Sequence, residues 1–152
     1  MYNWGKMPIQ KSQRSILKFD KPISREKALL MSPVVLAFIG DSVQTLFVRK
    51  KIALETDYKS GRLNEIASQV LRAKAQARLA DSIFPNLTEE EKDIFRRGRN
   101  AKKPSHAKNA KVSEYNKSTG IEAVIGFLYL CDDEERLNYV LNYQIEEENN
   151  EG

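Results

Sequence analysis

The chain has 152 residues, of which 41% are hydrophobic and 30% are charged, and its net charge is +4. This length and balance fit one soluble globular domain, and the low counts of glycine and proline exclude a low-complexity chain. No apolar run reaches the roughly 18 to 20 residues of a membrane span, and the polar N-terminus lacks an apolar signal core, so we expect a cytoplasmic protein without membrane contacts.

The single cysteine and the single histidine limit the chemistry further. One cysteine cannot form an internal disulfide or a cysteine-rich zinc site, and Cys131 is expected to be a small buried residue. His106 lies in a lysine-rich stretch, which argues against histidine-based metal binding or a serine–histidine pair.

Charge is sorted along the chain. Between Arg96 and Lys117 there are eight lysines or arginines and one acid, Glu114. From Asp132 to Gly152 the sign reverses, with eight acids and one arginine. Anionic partners are therefore expected at the basic segments.

The first residues, 1–24, show no sustained helical periodicity and contain Pro8 and Pro22. They are predicted to form a basic, partly ordered arm. A helical domain is expected over 25–145, beginning with a short helix, and an acidic tail over 146–152.

A long apolar helix with a lone acid comes next. Ser32 and Pro33 are a good N-cap and first-turn proline, and the helix is expected to end near Leu54. Asp41 lies well inside this helix, with apolar neighbours at helical spacing, so we expect its face to be the buried one. An ionised carboxylate in such surroundings needs a partner such as a cation.

Two further helices are predicted before the basic segment. Apolar residues recur at steps of three or four from Ser60 to Phe84, which predicts one amphipathic helix. Thr88 and Glu91 have the spacing of a capping box, which begins a helix that ends near residues 98–100.

The segment 101–116 is predicted to be an unusually long basic loop, because it contains Pro104 and has little apolar content. Charge runs are most often solvated surface, but this density is better explained by phosphates. No aromatic residue occurs in the cluster before Tyr115, which favours the backbone of a duplex over unpaired bases. The candidate nucleic-acid contacts are Arg96, Arg97, Arg99, Asn100, Lys102, Lys103, Lys108 and Lys111.

A second apolar helix with a lone acid follows the loop. Ser118 or Thr119 is expected to begin it, and Glu122 is the acid. Asp132 or Asp133 is expected to cap a last helix. No strand pattern is present, so the fold class is all-α.

Together, Asp41 and Glu122 predict a divalent metal site. A single buried Asp is held by a backbone group or an arginine about as often as by a metal ion. Two acids that converge in a core repel each other unless a proton or cation lies between them, and Mg²⁺ prefers oxygen ligands. Gly40 and Gly126 would let the two helix backbones approach. With the basic segment, these residues predict metal-dependent phosphodiester cleavage of RNA or DNA.

The same residues resemble a known family. The segment Leu36-Ala-Phe-Ile-Gly-Asp-Ser-Val43 resembles the signature helix of ribonuclease III, and Ser118–Leu130 resembles its second acidic helix. With Ala73-Lys-Ala-Gln-Ala77 and Arg96-Arg-Gly-Arg-Asn-Ala-Lys102, the chain is similar to the Mini-ribonuclease III group over about residues 30–141.

The resemblance implies the helical ribonuclease III endonuclease-domain fold and a homodimer. It implies Mg²⁺-dependent cleavage of double-stranded RNA, with Mn²⁺ able to substitute, leaving 5′-phosphate and 3′-hydroxyl ends. Asp41 and Glu122 would be the catalytic, metal-binding residues. In this group the substrate is typically precursor of large-subunit (23S) ribosomal RNA. A ribosomal protein is a possible helper, and a separate double-stranded RNA-binding domain is missing.

The wider family carries another Glu one turn before the signature Asp and an Asp one turn before the final Glu. Here these positions are Ala37 and Thr119, which favours one metal over a complete two-metal clamp. Two alternatives stay open: a non-catalytic RNA-binding or ribosome-associated module, and a helical protein-interaction domain. Phe38 could face a partner subunit or fill the monomer's own core.

Overall fold

The structure, a computed structural model, describes residues 21–102 and 111–150, with side chains up to Tyr143. The predicted arm at 1–20, His106, Lys103 and Lys108 lie outside the described residues. The helices are Arg25–Leu29 (α1), Pro33–Glu55 (α2), Ser60–Leu71 (α3), Ala73–Ile83 (α4), Glu89–Asn100 (α5), Val112–Leu130 (α6) and Glu134–Asn150 (α7), with a 3-10 turn at Phe84–Asn86. The described residues contain no strand, which confirms the all-α prediction.

Helix α6 is the centre of the fold. Every residue from Ser118 to Leu128 is buried except Glu122, which is half-buried. A helix that is apolar on all sides must be covered on all sides, and α2, α4 and α5 pack around it. The main core therefore surrounds the helix that carries one of the two predicted metal ligands. None of the described helices has the length and apolar character needed to cross a membrane.

Several predicted helix starts are confirmed. The Ser24 hydroxyl accepts a hydrogen bond from the Lys27 amide. Helix α2 begins at Pro33 as expected, but the Ser32 side chain makes no capping hydrogen bond. Thr88 and Glu91 form the expected reciprocal capping box. In the last helix, Asp133 accepts from the backbone of the first turn, and α7 continues to Asn150, beyond the expected domain end at residue 145.

The predicted single helix over 60–84 is wrong. Arg72 has an extended backbone (φ −65°, ψ 154°) and separates α3 from α4. The buried Gln76 amide donates to the Val70 carbonyl at 2.9 Å and accepts from Gln44 at 2.9 Å, so the end of α3 is satisfied without a continuous helix. The apolar periodicity runs across the break because both helices bury small residues.

The predicted start of the second acidic helix is also wrong. Helix α6 begins at Val112, with Lys111 as its N-cap residue. The hydroxyls of Ser118 and Thr119 donate to the Tyr115 carbonyl at 2.7 and 3.1 Å, which is how these residues bond inside a helix rather than at its start. Residues 112–116, which were expected to belong to the basic loop, are therefore the first residues of α6.

A buried ion pair that the sequence did not predict ties α5 to α7. Glu91 is fully buried, and Arg136 donates to both of its carboxylate oxygens at 2.9 and 2.7 Å. This pair belongs to the scaffold.

Cys131 is half-buried rather than buried, and the Arg25 guanidinium lies 3.7 Å from its sulfur.

Candidate active site

Two glycines bring α2 and α6 into backbone contact. A Cβ atom on Gly40 would overlap the Glu122 carbonyl oxygen and lie 2.8 Å from the Gly126 nitrogen. A Cβ atom on Gly126 would overlap the Leu36 carbonyl oxygen. Position 40 thus faces 122 while 36 faces 126, so the helices run antiparallel. The prediction that these glycines allow close approach is confirmed.

This contact places Asp41 near Glu122. Burial, and to a lesser degree the negative charge of Asp41, raises the pKa of Glu122 to about 8. The two carboxylates therefore share one electrostatic environment, as the sequence predicted. The charge of Asp41 disfavours the ionised form of Glu122 unless a cation lies between the two carboxylates.

The structure corrects the expected burial of Asp41, which is exposed. Helix α2 is apolar on more than one side, and only one side packs on α6. On another side Phe38 is 75% exposed and Val35 is 46% exposed. The acid pair consequently lies at the edge of the core, where Glu122 is half-buried and Asp41 is exposed to solvent.

The donor set fits a hard divalent cation. Two carboxylates offer the oxygen ligands that Mg²⁺ and Mn²⁺ prefer, and Mg²⁺ commonly keeps several waters. Within the described part of the chain, no group of three or more Asp, Glu, His or Cys side chains could hold a metal. Ala37 is buried in the core, and the buried Thr119 donates to a backbone carbonyl. These positions supply no further carboxylate, in agreement with a reduced site.

Helix α5 packs against the part of α6 that leads to Glu122. A Cβ atom on Gly98 would lie 3.0 Å from the Gly120 Cα atom and 3.2 Å from the Thr119 carbonyl oxygen. The last turns of α5, which contain the first predicted nucleic-acid contacts, therefore pack against the turn of α6 that precedes Glu122.

The three arginines of α5 do not form one stripe. Arg96 is exposed, and its guanidinium lies 5.3 Å from the centroid of the Phe84 ring. Arg99 lies 5.9 Å from the centroid of the Phe95 ring. Arg97 turns toward α1 and donates to backbone carbonyls there. The α5 arginines thus differ in how freely they could meet a phosphate.

The remaining predicted contacts flank the undescribed segment. Lys102 and Lys111 are exposed at its two ends, and Asn100 is exposed and accepts a hydrogen bond from Arg99 at 3.2 Å. The positions of Lys103 and Lys108 stay predictions.

A buried amide pair near the site was missed by sequence reasoning. Gln44, one turn after Asp41, donates to Gln76 of α4. The pair ties the acid-bearing helix to α4. The sequence shows a glutamine in each of two predicted helices, and only Gln76 lies in a recognised motif. The structure shows that both side chains are buried.

The raised pKa of Glu122 predicts a pH-dependent stability. Without a divalent cation, between pH 4.5 and about 8, Glu122 of the folded protein keeps a proton that the unfolded chain has already lost. The unfolding free energy should therefore fall as pH rises through this range, by at most about 1.4 kcal/mol per pH unit.

Denaturant unfolding in EDTA at several pH values would check this. The difference between Glu122→Gln and the unmodified protein should grow in favour of the variant as pH rises. Glu114→Gln, on the same helix, is the control. A pH-independent difference for Glu122→Gln would contradict the assignment.

Comparison with known proteins gives the family. Residues 34–133 match the sequence model described as Ribonuclease III domain. The chain is 39% identical to a Mini-ribonuclease 3 of Thermoanaerobacter sp., over 91% of this chain and 97% of the relative. It is 44% identical to that of Staphylococcus aureus, over 74% and 86%.

A solved structure agrees with the sequence matches. The crystal structure of a Fusobacterium nucleatum protein has a TM-score of 0.71 and 34% identity to this chain, covering 78% of this chain and 95% of that one. The chain is therefore a ribonuclease of the ribonuclease III family, and within that family it belongs to the Mini-ribonuclease III group.

Proposed function

We propose that this ribonuclease is a metal-dependent endonuclease for double-stranded RNA, in which Asp41 and Glu122 hold a Mg²⁺ ion that Mn²⁺ can replace. The observation that carries the proposal is the acid pair brought together by the Gly40–Gly126 contact. When bound, the cation supplies the positive charge that promotes attack by water and offsets charge developing on the phosphodiester.

The two acids have different tasks at this site. Glu122 is half-buried on the best-packed helix, so its backbone position is fixed. Because its pKa is raised to about 8, it retains a proton near neutral pH unless a cation displaces it. Asp41 is exposed and leaves the open side of the pair accessible to a phosphate. Hydrolysis that breaks the bond between phosphorus and the 3′ oxygen leaves 5′-phosphate and 3′-hydroxyl ends.

The basic segment beside the pair would dock the RNA backbone. Arg96, Arg99, Lys102 and Lys111 are the described cations best placed for this, with Asn100, Lys103 and Lys108 as further contacts. Lys and Arg contacts to phosphate give affinity without sequence reading. From its group we infer precursor of large-subunit ribosomal RNA as substrate, a ribosomal protein as helper, and the cytoplasm as location.

The exposed side of α2 supports a homodimer. Phe38 is 75% exposed, which excludes the alternative that it fills the monomer's own core. Val35 and Leu46 on the same helix are 46% and 45% exposed. Burying a large apolar side chain is worth roughly 1.5 to 3 kcal/mol, and a two-fold contact buries the same patch on both copies.

Cleavage of labelled duplex RNA with Mg²⁺ and with EDTA tests the function. We expect internal cuts with Mg²⁺ only, and products that carry a 5′-phosphate. A gel shift in EDTA separates the alternatives. Binding without cleavage in Mg²⁺ would indicate a non-catalytic RNA-binding module, and absence of binding would indicate a protein-interaction domain.

RNA affinity should fall steeply with salt, because docking depends on phosphate contacts. Lys102→Gln should reduce the slope of log affinity against log salt by about one. Lys27→Gln is the control. Lys27 is exposed on α1, a helix that carries none of the expected phosphate contacts. Equal slopes for the two variants and the unmodified protein would contradict the docking role of Lys102.

A further inference from the structure

Arg97 uses both terminal nitrogens of its guanidinium within the protein. One donates to the Leu29 carbonyl at 2.9 Å and the other to the Met31 carbonyl at 3.2 Å. These carbonyls belong to the two residues that flank Leu30. A guanidinium holds its donors in a rigid fork, so Arg97 bridges both ends of this residue and fixes the turn between α1 and α2.

The turn needs such a partner. Helix α1 has five residues, and the last carbonyls of a helix lack partners within it. A longer helix could not satisfy these carbonyls either, because α2 begins at Pro33, which has no amide hydrogen to donate. Arg97 supplies donors at this point, and the sequence run that suggested a phosphate contact does not reveal this use.

The effect of the bridge is to present Leu30 outward. Leu29 and Met31 pack partly against the main core, whereas Leu30 between them is 87% exposed. The exposed side chains that follow, up to Phe38, are Ser32, Val35 and Phe38 itself, and none of these is charged. A surface of this kind fits another apolar protein surface and offers no cation to an RNA phosphate.

We propose that Arg97 is not a phosphate contact but a positioning residue that holds Leu30 in the surface buried against a second copy of this chain. The inference rests on the proposed homodimer, since the exposed Leu30 comes just before α2 in the chain, and Val35 and Phe38 are exposed in the first two turns of that helix. One arginine of the basic run then serves dimer assembly, while its neighbour Arg96 remains exposed and available to RNA.

The dimer dissociation constant, measured by sedimentation over a concentration series, tests the proposal. Leu30→Ser should raise it by at least about tenfold, because an exposed apolar contact is lost without disturbing the core. Arg97→Ala should weaken the dimer to a similar degree. Arg97→Lys should behave like Arg97→Ala, since an ammonium group keeps the charge but not the fork.

The salt dependence of RNA binding is the second measurement, made at concentrations where each variant is dimeric. Arg97→Ala should leave the salt slope unchanged, whereas Arg96→Ala should reduce it by about one and leave the dimer constant unchanged. The reverse result for Arg97→Ala would assign Arg97 to RNA and overturn the proposal.

The remaining outcomes also decide. An unchanged dimer constant for Leu30→Ser overturns the inference while the homodimer stands, and this exposed substitution gives an answer even if Arg97→Ala fails to fold. If the unmodified protein cuts duplex RNA but stays monomeric at every concentration, the homodimer and this inference both fail, and the endonuclease function stands.

Discussion

The Asp41→Asn and Glu122→Gln variants are expected to cut duplex RNA at least about a thousandfold more slowly than the unmodified protein in Mg²⁺, which corresponds to about 4 kcal/mol of lost transition-state stabilisation. Each amide keeps the size of the side chain but removes the charge that would hold the cation. Single-turnover cleavage measures the loss. Asp93→Asn, exposed on α5, and Glu114→Gln are the controls and should remain active.

Stability measurements show whether the lost activity has a structural cause. Because burial raises the pKa of Glu122, the charged carboxylate costs folding free energy at high pH when no cation is bound. Glu122→Gln should therefore be more stable than the unmodified protein at pH 8 in EDTA while being inactive in Mg²⁺. An active, folded Asp41→Asn or Glu122→Gln variant would overturn the assignment of that acid.

The pairing of Asp41 with Glu122 could be predicted from the sequence, and the exposure of Asp41 could not. Two lone acids in apolar helices indicate that they share a partner. An apolar run, however, does not say which side packs on its own chain and which awaits another. Phe38 looks the same in the sequence as Leu36, yet the first is 75% exposed and the second is fully buried.

The helix boundaries show the same limit for polar residues. The periodicity over 60–84 fits one helix, but the chain breaks at Arg72, where the Gln76 side chain donates to the Val70 carbonyl. Ser118 resembles a cap in the sequence, and only the structure shows its hydroxyl donating one turn back inside α6. Side-chain to backbone bonds of this kind depend on tertiary position, which local patterns do not contain.

Charge runs are ambiguous for a related reason. From the sequence, Arg96, Arg97 and Arg99 were all predicted to contact phosphate. Helical geometry points neighbouring residues about 100° apart, so the three side chains meet different surroundings. Arg97 finds backbone carbonyls, whereas Arg96 and Arg99 lie over aromatic rings. The direction of each side chain, and not the density of charge, decides which arginines can meet RNA.

Gly40→Ala is expected to destabilise the protein strongly. The new methyl group would overlap the Glu122 carbonyl oxygen and crowd the Gly126 nitrogen. Both are backbone atoms, so no side-chain rotation relieves the overlap, and the two helices must move apart. Overpacking of this kind costs about 3 kcal/mol or more.

Gly61→Ala is the matched control. Gly61 is exposed in the first turn of α3, and a Cβ atom there would meet nothing within 4 Å. Alanine at a free helical position is favourable by up to about 1 kcal/mol relative to glycine. Denaturant unfolding should therefore show opposite signs for the same chemical change at the two positions.

The same variants connect packing to catalysis. In conditions where Gly40→Ala is still folded, cleavage should fall by at least about a hundredfold, because a displacement of about 1 Å at a catalytic group can cost that much. Gly61→Ala should cut normally. If Gly40→Ala were as stable and active as the unmodified protein, the close contact of α2 and α6 would not be what sets the acid pair. If the two alanine variants change stability in opposite directions and only Gly40→Ala loses activity, the spacing of α2 and α6 is the structural requirement for the site.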